Sequence, residues 1–370
     1  MILPRRFSPF CSALGLVFFS VIPGGAAANV RRRVPILWTT TTPAQPYVIA
    51  LLGDAKTHAL LDTGASDHVF SLSFAHAAGL PTVAIHAQGV DHGAGALALR
   101  GLVHVTSRIE GWGPLDASLS TPKDGLAYAV AAVHDRFREL GLGAFVSPQR
   151  LVTRGHAVVI DLQKSELVEL PTAELRSYLD GHRGRALFTG SAEACKHGTG
   201  ERAGITWTTD ALLEGHAARL LVDTGAASGD LFRDSPVSRA IQTRGHAGAS
   251  IVTARGPIAA SRVDGLTLRL GDLQFHNLRW DVVPAQGAPV CRYDGVLGIN
   301  VLRNCVVAFD GTAISGRCTE PPGAPEPNVA GESPAQKRQF AHKKQAVTAP
   351  QTKRPTKPPN EQGRTPKMRP

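Results

Sequence analysis

The sequence predicts an all-β fold built as two related halves about a pseudo-twofold axis, with few short helices and a disordered C-terminal tail. Three observations predict it. Asp-Thr-Gly-Ala occurs twice, at Asp62-Thr63-Gly64-Ala65 and Asp223-Thr224-Gly225-Ala226. Each copy follows an apolar run, Ala59-Leu60-Leu61 in one case and Leu220-Leu221-Val222 in the other. Turn residues also recur at short intervals between apolar runs, which favours many short strands over long helices. At 370 residues and 43% hydrophobic content, the chain is long enough to bury a sizeable core.

Residues 1–28 read as a targeting segment: Arg5 and Arg6, an apolar stretch from Phe10 to Ile22, then Ala26-Ala27-Ala28 as a cleavage region. The stretch is too short to favour a spanning helix, so export to the periplasm or medium is expected, with an uncleaved membrane tether as the alternative. Residues 29–45 form a linker or short propeptide. The first half, 46–185, starts with a strand at Tyr47–Leu52, a turn at Gly53-Asp54-Ala55-Lys56 and a return strand to Leu61 that delivers Asp62. The second half, 186–318, repeats this order: Ile205–Leu213, a turn at Glu214-Gly215-His216, then Ala217–Val222 delivering Asp223. Short helices are expected at Ser73–Ala78 and Thr172–Leu179. Residues 107–140 look like an insertion.

A strand that ends in an Asp and a tight Gly turn fixes one carboxylate, and duplication supplies a second. Two carboxylates face to face cannot both ionise, so they share a proton and can act as base and acid together. The motif resembles that of the aspartic proteases, of both the two-lobed pepsin type and the retroviral type. Asp294-Gly295-Val296-Leu297-Gly298-Ile299 resembles the segment that closes each half of those enzymes, and Gly141-Leu142-Gly143-Ala144-Phe145 is the first-half counterpart, with a larger departure. Two Gly-rich stretches stand where the family carries a flap: Gln88–Gly95, with Gly89, Gly93 and Gly95, and Arg244–Ala249, with Gly245 and Gly248. Each is either a flap or a plain β-turn. The resemblance covers residues 46–318.

It implies a bilobal pseudo-twofold acid-protease fold in which Asp62 and Asp223 activate one water against a peptide carbonyl. Thr63 and Thr224 would lock the two loops together. Gly64 and Gly225 would allow the turn, and Ala65 and Ala226 would leave room for substrate. Ser66 or Ser228 would hydrogen-bond near the aspartates. The substrate would be a peptide or protein segment in extended conformation, adding a strand to the flap. With both aspartates in one chain a monomer suffices, and the mechanism requires no cofactor or metal. The alternative function is a catalytically silent peptide-binding or envelope-scaffolding protein on the same fold.

Beyond the targeting segment the cysteines are Cys195, Cys291, Cys305 and Cys318. Cys305–Phe309, a turn at Gly311-Thr312 and a return strand to Cys318 place Cys305 opposite Cys318, which predicts a disulfide there and, by elimination, Cys195–Cys291. The net charge of +10 is concentrated in residues 319–370, a basic Pro-rich tail with the composition of a disordered segment. That tail is a solvated extension or an arm for anionic envelope polymer or lipid. Without aromatic interleaving or a recognisable module, nucleic acid is not an expected partner. The fourteen histidines are scattered, and no His-Glu-x-x-His or Gly-x-Ser-x-Gly is present. His68 reads as a surface or turn histidine rather than a catalyst.

Overall fold

In the computed structural model, residues 32–41, 43–91, 95–115, 128–182, 186–195, 204–241, 245–254, 256–284 and 293–319 are described; the targeting segment, the basic tail, Gly93 and Cys291 lie outside them. Each half begins with the hairpin that the apolar runs require. Pro46–Leu52 pairs antiparallel with Ala55–Leu61, and Gly204–Leu213 pairs with His216–Val222. The turn of the second hairpin takes left-handed backbone at Glu214 (φ 51°) and Gly215 (φ 82°), which suits the right-handed twist of the flanking strands.

The two delivering strands are then held in the same way. Leu142–Val146 lies parallel to Ala55–Leu61 and antiparallel to Val69–Ser71. Gly295–Leu297 lies parallel to His216–Val222 and antiparallel to Gly229–Phe232. Val146 and Leu297 are therefore equivalent, as are Val69 and Asp230, which face Phe145 and Val296. Both closing segments expected from the sequence take this central place, and the departures around Gly141–Phe145 do not displace the first one.

Two sheets result, one of 10 strands and one of 13. The larger sheet draws on both halves. Hairpin His156–Pro171 and hairpin Cys305–Cys318 pair edge to edge, from Val158↔Phe309 to Asp161↔Val306. Arg33–Pro35, within the segment read as linker or propeptide, extends this sheet by pairing with Glu166–Val168, and Val34 and Ile36 are buried. One core runs under both halves, from Val48, Leu61 and Phe70 through Trp207 and Val222 to Phe309. The other face of the shared sheet is covered by the helix Leu175–Asp180, whose Leu175 and Leu179 pack on Ala157, Val159, Val306 and Ala308. Buried Asp161 fastens this corner, accepting from the Tyr178 hydroxyl at 2.9 Å and meeting His182 Nε2 at 2.6 Å.

The short helices at Leu72–Ala77 and Leu175–Asp180 fall where they are expected, and Asp135–Glu139, Pro236–Ile241 and Ile299–Leu302 add three more. The insertion at 107–140 contributes strands at Ser107–Ile109, Gly113–Pro114 and Tyr128–Ala131, and the buried Tyr128 hydroxyl donates to Leu115 O at 2.7 Å. Among the described residues no helix is long and apolar enough to cross a membrane.

Cys305 and Cys318 face each other in register and form a disulfide. Pairing of Cys195 with Cys291 falls outside the described residues. With the bonded cysteines 13 positions apart in sequence, the cross-link should stabilise the fold by about 3 kcal/mol through the unfolded chain. Replacing both Cys305 and Cys318 with Ser is expected to lower the unfolding free energy by about that amount in denaturant titration.

Candidate active site

Asp62 and Asp223 end the two delivering strands, and the closing segments aim them. The Asp62 amide donates to Val146 O at 3.0 Å and the Asp223 amide to Leu297 O at 3.1 Å. Across the pseudo-axis the threonines interlock. Thr63 Oγ1 donates to Val222 O at 2.7 Å and accepts the Thr224 amide at 2.9 Å. Thr224 Oγ1 donates to Leu61 O at 2.5 Å and accepts the Thr63 amide at 3.2 Å. Both threonines are buried, so these four bonds form without water competition.

The interlock brings each aspartate against the glycine of the other loop. A Cβ on Gly64 would stand 2.6 Å from Asp223 Cγ, and one on Gly225 would stand 2.8 Å from Asp62 Cγ. Neither glycine has positive φ. The turn itself therefore does not demand glycine, contrary to the sequence reading; the opposing carboxyl group does.

The two carboxyls hydrogen-bond to each other, and their surroundings differ. Asp62 accepts the Ala65 amide at 2.9 Å. Asp223 Oδ1 accepts the Gly225 amide at 2.8 Å and the Ala226 amide at 3.2 Å, and the Gly64 amide reaches it from the other loop. Burial, followed by the charge of Asp223, holds Asp62 well above the usual carboxylate range. Burial also raises Asp223, but the bond from Asp62 and three amides pull the other way. Burial thus holds both carboxyls above the ordinary range, and Asp223 accepts more loop amides than Asp62 does.

The loops are braced by residues the sequence did not single out. Ala226 O accepts the Ile299 amide at 2.8 Å. The equivalent position in the first half is Pro148, which has no amide hydrogen. There Gln149 Nε2 supplies the missing donor, reaching Ala65 O at 2.7 Å. The missing Pro amide was a readable cue. Gln45, from the leading segment, donates to Gly225 O across the halves, and nothing in its local sequence announces that contact. Arg150 ties the short turn after the first closing segment to Asp67, with Nε 2.8 Å from Oδ1. Ser228, expected near the aspartate pair, instead donates to Asp281 Oδ2 at 3.3 Å.

Both halves carry a long hairpin beyond the catalytic loop. Thr82–Asp91 pairs with Gly95–Val103, ending at Asp91↔Gly95, so Gly89 and Gly95 belong to its far end, while Gly93 lies outside the described residues. His246–Thr253 pairs with Gly256–Leu270, ending at Thr253↔Gly256. Gly245 immediately precedes the first strand of that hairpin and Gly248 lies within it, so these two flap candidates stand toward its foot. Ala254 O accepts the His134 amide at 2.7 Å, so the second hairpin reaches the first half.

His68 is fully buried, not a surface histidine. Its Nδ1 accepts the Ser147 amide at 3.2 Å, behind the catalytic loop. Burial, helped by the Arg150 charge, lowers its pKa from the ordinary 6.5 to about 3. Among the described residues no group of His, Cys, Asp or Glu could hold a metal ion.

Residues 209–301 match the family model described as aspartyl protease, a stretch that holds the Asp223 loop, the second hairpin and the second closing segment. Over that stretch the second half of the chain is similar to the aspartyl proteases. No curated protein matches the chain. Among solved structures, the aspartic proteinase from Irpex lacteus is similar at 11% identity and a TM-score of 0.43, over 78% of this chain and 97% of that one. The first half, outside the matched stretch, carries the same loop, hairpin and closing strand in the same connections.

Two measurements follow from this arrangement. Thr63→Val would leave the Val222 carbonyl and Thr224 amide unpaired in a buried setting, and is expected to cost on the order of 3 kcal/mol in denaturant unfolding. His68 makes the fold acid-sensitive: its folded pKa of about 3 lies below the ordinary 6.5, so the unfolded chain takes up a proton that the fold refuses. The stability it contributes is full above about pH 6.5 and is lost as pH falls toward 3. His68→Asn, whose amide oxygen can accept from Ser147, should flatten that part of the stability–pH curve.

Proposed function

We propose that this chain is an exported aspartic endopeptidase that hydrolyses peptide bonds with water activated between Asp62 and Asp223. The observation that carries this reading is the threonine interlock, which presents two carboxyls to each other with one proton between them. In the resting pair Asp223 is the anion and takes a proton from the attacking water, while Asp62 donates its proton to the carbonyl oxygen. As the tetrahedral species collapses, the proton gained by Asp223 passes to the leaving nitrogen and Asp62 is restored. The pair titrates as a unit, so these roles describe the starting microstate.

An extended peptide segment suits the two long hairpins, whose strands can offer backbone partners to a bound chain. Closure of the first hairpin tip over such a segment would exclude water and strengthen the electrostatics at the aspartates. Export is supported by the Arg-led apolar stretch at the N-terminus and by the Cys305–Cys318 disulfide, a bond that persists in oxidising compartments. The basic tail would then contact anionic envelope polymer or lipid. One chain supplies both aspartates, so a monomer is competent.

Asp62→Asn and Asp223→Asn should each reduce kcat/KM for peptide cleavage about a thousandfold or more, while the circular dichroism spectrum stays native. Undiminished turnover in either variant would defeat the reading. In the parent protein kcat/KM should be bell-shaped against pH. It falls in strong acid as Asp223 takes up a proton, and falls again as pH rises and Asp62 loses its own. Because Asp62 is held well above the usual carboxylate range, the alkaline limb should lie above the pH at which an ordinary aspartate titrates.

A further inference from the structure

The two halves differ at one position beside the aspartate pair, and the difference is chemical. Val69 and Asp230 occupy equivalent sites on equivalent strands, facing Phe145 and Val296 across the pairing with the closing segments. Strand alternation fixes where Asp230 points. Leu231 enters the main core and Gly229 lies against Trp280, so Asp230 and Phe232 share the opposite face. On that face Phe232 packs with Val283 and with Ala260, Ile251 and Ile258 of the second hairpin. Asp230 therefore stands between the catalytic Asp223 and an apolar patch beneath a hairpin.

Its carboxyl is only partly satisfied. The Ser228 hydroxyl, with one proton to give, stands between Asp230 and Asp281, 3.3 Å from Asp281 Oδ2, and Arg262 meets Asp281 with Nε 2.9 Å from Oδ1. Arg262 is thus neutralised by Asp281 and does not serve Asp230. Asp230 Oδ1 is buried with no hydrogen-bond partner among the described residues. Burial, then the charges of Asp281 and Asp223, push Asp230 well above the ordinary carboxyl range. An acid this close to a catalytic aspartate, with a bare oxygen and no cation of its own, is costly unless something else supplies the donor.

We propose that Asp230 is a specificity-determining residue for the endopeptidase reading above, recognising a basic substrate side chain, Lys or Arg, on the second-half side of the scissile bond. The aliphatic part of such a side chain would lie on the Phe232 patch, and its charged head would reach Asp230 Oδ1. Ionisation of Asp230 is then favoured by the incoming cation, and the site gains a charge-assisted bond that a neutral side chain cannot offer. Val69 gives the other half no such bond, so the cleft is polar on one side of the aspartates and aliphatic on the other.

The test uses the full chain and peptides in which Lys or norleucine is stepped through the positions flanking the cleaved bond. At one position the wild-type protein should favour Lys by about tenfold or more in kcat/KM. Asp230→Val, which installs the residue of the twin site, should bring the ratio below about one by improving the norleucine peptide and weakening the Lys peptide. Asp230→Asn, closer in shape, guards against misfolding and should also remove most of the preference. Absence of a Lys preference at every position, or its survival in both variants, overturns the proposal while leaving proteolysis intact. If no peptide is cleaved, hydroxyethylene analogues of the same pairs are titrated by calorimetry. A Lys preference abolished by Asp230→Val then supports the subsite although the endopeptidase reading fails, and equal binding of both analogues overturns the subsite as well.

Discussion

Four hydrogen bonds between Thr63 and Thr224 and the strands opposite them hold the two aspartate loops together. Each threonine uses its hydroxyl both to donate into the other half and to accept from it, so neither loop has a stable position without its twin. The consequence is geometric. With the loops interlocked, each glycine must approach the opposite aspartate so closely that a single methyl group would collide with it. The carboxyls then share a volume too small for two charges, and the shared proton follows from Coulomb repulsion and burial rather than from any special property of either residue.

That symmetric frame carries asymmetric chemistry. More amides point at Asp223 than at Asp62, which biases the proton toward Asp62. The bracing differs too. The second loop is held by a backbone amide of Ile299, while the first has Pro148 at that place and uses the Gln149 side chain instead. A duplicated chain can drift in this manner because each copy is altered separately, whereas a symmetric dimer must accept every change twice.

Much of the frame was legible because it rests on short-range pattern. Apolar runs ending in Asp-Thr-Gly-Ala define strand, turn and carboxylate within ten residues, and the register of Cys305 with Cys318 follows from strand length and turn. What was not legible depends on distance. His68 resembles any turn histidine until Ser147 is placed behind it, far along the chain. Gln45 reaches Gly225 from a segment that reads as a linker. Gly245 and Gly248 looked like a hairpin tip because glycine signals permissive backbone without saying which turn is made, and the register put the tip later. Asp230 became meaningful only after strand pairing matched it to Val69.

The shared sheet has a consequence for how the protein is made. The edge from Val158 to Asp161 belongs to residues that leave the ribosome early, yet its partner is Val306 to Phe309, close to the end of the folded region. Through most of synthesis that apolar strand offers open backbone groups to any neighbouring polypeptide. The first half can thus complete its own hairpins while one flank stays unsealed, and the hairpin Cys305–Cys318 acts as the closing stitch.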